Sequence, residues 1–441
     1  MDNRQWREFM DAAMGVPPGR VTVAAVRRRL VRRRIREAAG VLAAVVVAVI
    51  GVTAAVRVFG AAPGPVAPHR SAAPTVYVAY AKGGGETPPL KPPPVAIIPI
   101  STATDRAGKP IKVGSGDQIA ITPDGKSAYV LNSDAGTVTP INTVTNTADR
   151  PIHIGRTRDF GPEFIAITPD GKTAYVANTG LNTVTPISTA TNTPGKPIRV
   201  GSAPVWIAIT PDGKTAYVVN ETHNEWQSGT VTPISTATNT PGKPIRVGRT
   251  PFAIAITPDG KTAYADSGSS VTPISTATNT AGKPIHLAGN PGEGSIAITP
   301  DGKTAYATTV HPWTVTPIST ATNTAGKPIK IPADPTIGSA YAGQLAITPD
   351  GKTAYVLSNH THSVIPISTA TNTAGQPIRF GSDCHAQPLV WPGLSIAITP
   401  DGKTAYFACE STVVPINTAT NTAGNPIPIP LRDPITIAIT P

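Results

Sequence analysis

Short apolar runs of alternating character recur through most of this chain, each closed by the same turn residues. One unit reads Ile165-Ala-Ile-Thr-Pro-Asp-Gly-Lys-Thr-Ala-Tyr-Val-Ala-Asn178, then Thr183-Val-Thr-Pro-Ile-Ser-Thr-Ala-Thr-Asn-Thr193, then Lys196-Pro-Ile-Arg-Val-Gly201. Alternation in Ile-Ala-Ile-Thr puts both isoleucines on one face of a strand (A) and the small alanine on the other. Asp-Gly then marks a hairpin, because glycine accepts φ > 0. Strand B is Thr-Ala-Tyr-Val. Strand C is Thr-Val-Thr-Pro-Ile-Ser-Thr, whose proline fits a central strand only at a bulge or where no N–H is needed. Strand D, Pro-Ile-Arg-Val, is the natural outer edge. Four short strands every 40–50 residues predict a blade that buries both faces against its neighbours, large isoleucine sides against small alanine sides.

The count of units predicts how they close. The Asp-Gly turn occurs seven times, at Asp124, Asp170, Asp212, Asp259, Asp301, Asp350 and Asp401. Pro-Ile-Ser/Asn-Thr occurs eight times, from Pro99, Pro140, Pro186, Pro233, Pro273, Pro317, Pro366 and Pro415. Thr75-Val-Tyr-Val-Ala-Tyr80 is a strand B with no A before it, and Ile435-Thr-Ile-Ala-Ile-Thr-Pro441 is a strand A with no B after it. Pairing them completes an eighth blade and removes open sheet edges. Seven blades with frayed ends is the competing count.

The motif I-A-I-T-P-D-G-K-T-A-Y-V-x-N followed by T-V-x-x-I-x-T-x-T-N-T resembles the YVTN repeat of β-propeller proteins. Related repeats occur in YncE-like and bacterial surface-layer proteins and in propellers of the lactonase group. The resemblance spans residues 75–441 and departs from the family's usual Val-Ile-Asp-Thr by having Pro-Ile-Ser-Thr. It implies a β-propeller, and with the count of units the expected fold is an all-β, eight-bladed β-propeller. Activity stays open, because such repeats serve binding, surface and enzymatic proteins alike.

Charge separates the N-terminal region from the repeats. Residues 1–58 hold 11 of the 37 Lys+Arg and 4 of the 26 Asp+Glu. The strong basic cluster therefore lies outside the repeats, which argues against nucleic acid as a partner. Residues 38–56 are uncharged over 19 positions, about the length of a helix crossing a ~30 Å hydrocarbon core. Seven arginines lie between Arg27 and Arg36, and only Arg57 closely follows the apolar run. The expected layout is a basic cytoplasmic stub (1–37), a transmembrane signal anchor (38–58), a stiff Pro/Ala spacer (59–74) and an extracytoplasmic propeller (75–441). A cleaved signal peptide fits less well, because leader and apolar run are both long for one.

Comparing units separates two loop classes. The A–B and C–D turns hardly vary. The D–A connection has four residues at Ser115–Gln118, nine at Arg156–Phe164, thirteen at Pro332–Gln344 and fourteen at Ser382–Ser395, and the B–C loop grows to nine at Glu221–Gly229. Strands alternate in direction, so both variable classes open on one face. Trp206, Trp226, Trp313 and Trp391 fall in this variable set, as do His223, His311, His360, His362 and His385. Aromatic side chains on loops are common binding anchors, and these nine residues are the candidate contacts for a cell-wall polymer or a protein. The termini meet on the constant face, so the spacer should leave there and present the variable face away from the membrane.

Cys384, in the longest D–A loop, and Cys409, at the end of strand B of the same blade, are placed for a disulfide worth ~3 kcal/mol in an oxidising compartment. His360 and His362, with His385, Asp383 or Glu410, match no established metal-ligand spacing, so no metal or cofactor is expected. No G-x-S-x-G, H-E-x-x-H, C-x-x-C-H or Walker A motif occurs. Propeller enzymes assemble sites from several blades, and Glu163, Glu221, Glu225, Asp266 and Glu293 are candidate acids at the channel mouth. The leading expectation is a non-catalytic, surface-tethered binding or scaffold module. A lactonase-like hydrolase and a coat module packing edge to edge are the rival readings.

Overall fold

A computed structural model describes residues 73–80, 96–114, 116–157, 160–222, 227–289, 294–309, 313–331, 342–358, 363–380, 395–409, 411–430 and 434–441. The proposed stub and anchor lie outside them, as do Trp226, Trp391, His223, His311, His360, His362, His385, Cys384, Glu225, Glu293, Asp383 and Glu410. Among the described residues no helix is long and apolar enough to cross a membrane.

The described residues form eight separate antiparallel sheets, each ordered A-B-C with D on the outside. Blade 1 takes strand B from Thr75–Tyr80, C from Ala96–Ser101 and A from Pro434–Ile439. The terminal strands pair as expected, with Val76 opposite Ile439 and Val78 opposite Ile437. Thr75 N–H donates to Thr440 Oγ1 at 2.8 Å, and Thr440 N–H donates to Thr75 O at 3.0 Å. The A strands adjoin in a complete cycle, with Pro434–Ile439 between the A strands of blades 8 (Ser395–Ile398) and 2 (Gln118–Ile121). Eight blades close the ring.

The packing rule read from the sequence holds between blades 1 and 2. Ala438 and Tyr77 of blade 1 meet Ile119, Ile121 and Val130 of blade 2. Ala120 and Tyr129 of blade 2 meet Ile165, Ile167 and Val176 of blade 3 in the same way. The small alanine of strand A makes room beside the tyrosine of strand B, so each blade presents a stepped surface to two isoleucines.

That tyrosine has a second role that the pattern did not suggest. Its hydroxyl donates to Asn Oδ1 in the C–D turn of the next blade: Tyr129 to Asn192 at 2.7 Å, Tyr175 to Asn239, Tyr217 to Asn279 and Tyr306 to Asn372 at 2.6 Å. Tyr77, Tyr264 and Tyr355 do the same with Asn146, Asn323 and Asn421. Burial pushes each of these hydroxyls up to about 12. The accepting asparagines sit at φ of 53–54°, a left-handed conformation asparagine tolerates. Asp105 replaces asparagine once, at the seam, and accepts from Tyr406 at 2.6 Å. The cycle of eight blade-to-blade bonds is thus closed by the one charged acceptor.

The A–B turns form a third cycle. In each, the threonine hydroxyl donates to the aspartate at about 2.6 Å, as Thr168 does to Asp170 at 2.6 Å, and Lys172 N–H donates to the same carboxylate at 3.1 Å. The glycine sits at φ +70 to +72°, and a Cβ there would press on the proline of the preceding blade, as Gly171 on Pro123 at 3.4 Å and Gly302 on Pro258 at 3.3 Å. Gly125 rests in this way on Pro441.

Strand D departs from expectation. It is two short pieces, for example Thr193–Pro194 and Ile198–Arg199, each paired with strand C. The proline of strand C causes the break. Its carbonyl points toward D and accepts from Gly195 at 2.7 Å for Pro186, but its nitrogen on the same side has no hydrogen to give, so the ladder cannot run through.

Candidate functional site

The variable face surrounds the starts of the A strands, and there the eight units stop being alike. The residue just before Ile-Ala-Ile is Gln118, Phe164, Trp206, Ala253, Ser295, Gln344, Ser395 or Thr436 (before Ile or Leu). Two of these side chains tie their blade to the next. Gln118 Oε1 accepts Ile165 N–H at 2.6 Å, and Ser295 Oγ accepts Leu345 N–H at 3.4 Å. Phe164 and Trp206 stack with ring centroids 4.4 Å apart.

That stack corrects one expectation. Trp206 belongs to strand A of blade 4 (Pro204–Ile209), not to a loop, and it is 2% exposed. The strand begins before Ile207, and the indole fills the gap between two A strands, with its Nε1–H buried and unpaired. It is a packing residue in this arrangement. Trp313 remains on the loop side, half-buried before strand C of blade 6 (Thr314–Ser319), resting against the core. Cys409 ends strand B of blade 8 and is disulfide-bonded.

Of the five candidate acids, three are described. Glu163 lies one residue into strand A of blade 3 (Pro162–Ile167), half-buried. Burial pushes its carboxyl up to about 8; a hydrogen bond from Thr179 opposes the rise and the charge of Asp117 adds to it. Asp117 stands at the equivalent place on blade 2, where its carboxylate accepts Ser133 N–H at 2.5 Å. Sequence reading missed Asp117; comparing the second residue before Ile-Ala-Ile between units would have found it beside Glu163. Glu221 is half-buried just beyond strand B of blade 4 (Thr215–Asn220), its N–H on Ala203 O at 2.9 Å.

Asp266 is the most unusual of the three. It ends strand B of blade 5 (Thr262–Asp266) and is fully buried. The strand positions equivalent to it hold Ala79, Leu131, Ala177, Val219, Thr308, Leu357 and Ala408. Its Oδ1 accepts Gly268 N–H at 2.9 Å, while Oδ2 has no partner. Burial pushes the carboxyl up to about 7, against hydrogen bonds from Gly268 and Ser267. Gly294 of blade 6 is what admits it: a Cβ there would lie 2.4 Å from Oδ2 and 3.0 Å from Thr308 O. Near neutrality Asp266 and Glu163 both hold a proton part of the time. They sit two blades apart, whereas Glu163 and Asp117 lie on neighbouring blades, close enough for the charge of one to act on the other. No group of three metal-ligating side chains occurs among the described residues.

No protein-family profile matches the chain, and no curated protein matches it, so the YVTN resemblance is carried by the repeat residues alone. Solved structures do match. The dihydro-heme d1 dehydrogenase NirN, in complex with DHE, superposes with TM-score 0.62 at 14% identity, over 82% of this chain and 74% of that one. Apo AztD from Citrobacter koseri gives TM-score 0.57 at 13% identity, over 83% and 97%. Kuenenia stuttgartiensis hydrazine synthase gives 0.51 at 24% identity, over 71% and 95%. At these identities the likeness is one of fold: residues 75–441 are an eight-bladed β-propeller.

Proposed function

We propose that this chain is a membrane-tethered, extracytoplasmic binding or scaffold module that recognises a cell-wall polymer or a protein through its variable face. The observation that supports this reading is the contrast between faces. One face is bonded around the ring by a repeated set of residues, and the other carries nearly all the differences between units. In this reading residues 38–58 span the membrane, 1–37 stay in the cytoplasm, 59–74 act as spacer, and Cys409 pairs with Cys384 to hold the longest loop. Trp313, Trp226 and Trp391 are the proposed contacts, together with His223, His311, His360, His362 and His385; Trp206 is left out of the set because it is buried in strand A. The test is capture from cell-wall extract by the full chain and by a variant with Trp226, Trp313 and Trp391 changed to alanine. Loss of capture with unchanged thermal unfolding supports the proposal; equal capture refutes it.

A second reading is supported by Glu163, which is positioned beside Asp117 and protonated near neutrality. Such a pair suits general acid–base hydrolysis at the channel mouth. Hydrolysis of an ester or lactone panel that disappears in Glu163→Gln would favour the enzyme.

A further inference from the structure

The outer rim of the ring carries a belt of cations. Two exposed positions recur on each blade's D edge, one after the glycine of the C–D turn (Asp149 in blade 2) and one inside Pro-Ile-x. In blades 1 to 7 the cations are Lys109 and Lys112, Arg150, Lys196 and Arg199, Lys243 and Arg246, Lys283, Lys327 and Lys330, and Arg379, with His153, His286 and Gln376 at the remaining places. Blade 8 has Asn425 and Pro428, so the belt is a crescent with one neutral gap. The isoleucine of each D edge is buried and the residue right after it is exposed, which leaves the cation there facing solvent.

These cations differ from the other lysines of the ring. Each lysine of an A–B turn has its own carboxylate, as Lys214 with Asp212 at 3.5 Å and Lys352 with Asp350 at 3.4 Å, so that face is locally neutral. Two acids lie on the C–D side of the rim among the described residues: Asp105, engaged by Tyr406, and the exposed Asp149 beside Arg150. Exposed edge strands are commonly blunted by charge, lysine above all, which accounts for one cation on each D edge. The second Lys or Arg on the edges of blades 1, 3, 4 and 6, with arginine at Arg199 and Arg246, goes beyond that need, and this doubling is what calls for a ligand.

We infer that this crescent binds a flexible, anionic polymer that carries no nucleobases. Three observations select that class. A belt around a curved rim touches a flat bilayer along one side only, whereas a flexible chain can follow it. Double-stranded nucleic acid, stiff over about 50 nm, cannot follow the rim of one domain. Single strands are usually held by stacking on exposed aromatic rings, and the exposed large apolar side chains among the described residues are Val144 and Leu181, neither aromatic.

The test uses the full chain in detergent with heparin as the probe, and two variants of equal charge change. One replaces Lys196, Arg199, Lys243 and Arg246 by glutamine; the other replaces the paired turn residues Lys172, Lys214, Lys261 and Lys303 by glutamine. The belt variant should lose roughly tenfold in heparin affinity at near-physiological salt and show a shallower salt dependence, while the turn variant stays within about twofold. The N-terminal arginines are common to all three proteins and cancel. Equal losses in the two variants, or none in the belt variant, would overturn the inference. Tighter binding of an oligothymidylate than of heparin, or belt-dependent binding to anionic vesicles alone, would overturn it as well.

Discussion

The two faces of the ring achieve left-handed backbone differently. On the constant face every residue at positive φ is asparagine, glycine or, once, Asp105, all residues that adopt it cheaply. The variable face also uses Asn182 and Gly114, Gly136, Gly155 and Gly268 in this way, but there Ala203 (φ 51°) and Thr250 (φ 45°) do so too, in D–A connections, which costs more. The constant face is built from inexpensive, repeated bonds that hold the wheel together. The variable face spends conformational energy, buries unpaired polar atoms such as Asp266 Oδ2 and Trp206 Nε1, and gives up the repeat. Strain and unsatisfied groups concentrate where recognition or chemistry is proposed.

Perturbations of known type sharpen this contrast. The largest effect should come from deleting residues 434–441, which removes the buried Ile437 and Ile439 and opens the edge of strand B. Destabilisation of more than ~5 kcal/mol is expected from the lost burial, read as loss of the cooperative thermal transition. Trp206→Ala on the variable face should cost ~3–5 kcal/mol in denaturant unfolding, despite lying at the proposed recognition face. Trp313→Ala, half-buried, should cost clearly less.

Asp266 makes stability depend on pH. Its carboxyl holds a proton more tightly folded (about 7) than at the ordinary value of 3.8. Its contribution is therefore most favourable below pH 4 and is lost as pH rises through about 7, by up to ~4 kcal/mol. Asp266→Asn should flatten that part of a stability–pH curve and stabilise the protein at pH 8; a wild-type curve flat between pH 4 and 8 would contradict the burial argument. On the constant face, Tyr406→Phe removes a bond to the charged Asp105 and should cost ~1.5–3 kcal/mol, against ~0.5–1.5 for Tyr217→Phe, which loses a bond to neutral Asn279. Denaturant midpoints of the two variants measure the difference.

The repeat made the constant face legible. Asp-Gly turns, the alternating Ile-Ala-Ile run and the unmatched terminal strands predicted blade order, packing polarity and closure. The split of strand D was also implicit in the proline of strand C, although the consequence of its missing N–H on the D side was not drawn. The tyrosine–asparagine cycle was hidden because its partners lie some 60 residues apart (Tyr175 and Asn239 are separated by 64), and local pattern carries no information about that contact. The mouth was read less well. Loop counting put Trp206 outside strand A because the strand extends past the repeated motif, where no periodicity marks its start. Asp266 and Glu163 were recognisable as acids, but their protonation follows from burial by neighbouring blades.

Closure of the ring by its own ends is tested most directly by amide hydrogen exchange on the intact chain. Amides of Thr75–Tyr80 and Pro434–Ile439 should exchange as slowly as those of the B and A strands of blade 4, Thr215–Asn220 and Pro204–Ile209. Exchange of the terminal strands at loop-like rates, with the other blades protected, would contradict the eight-bladed ring.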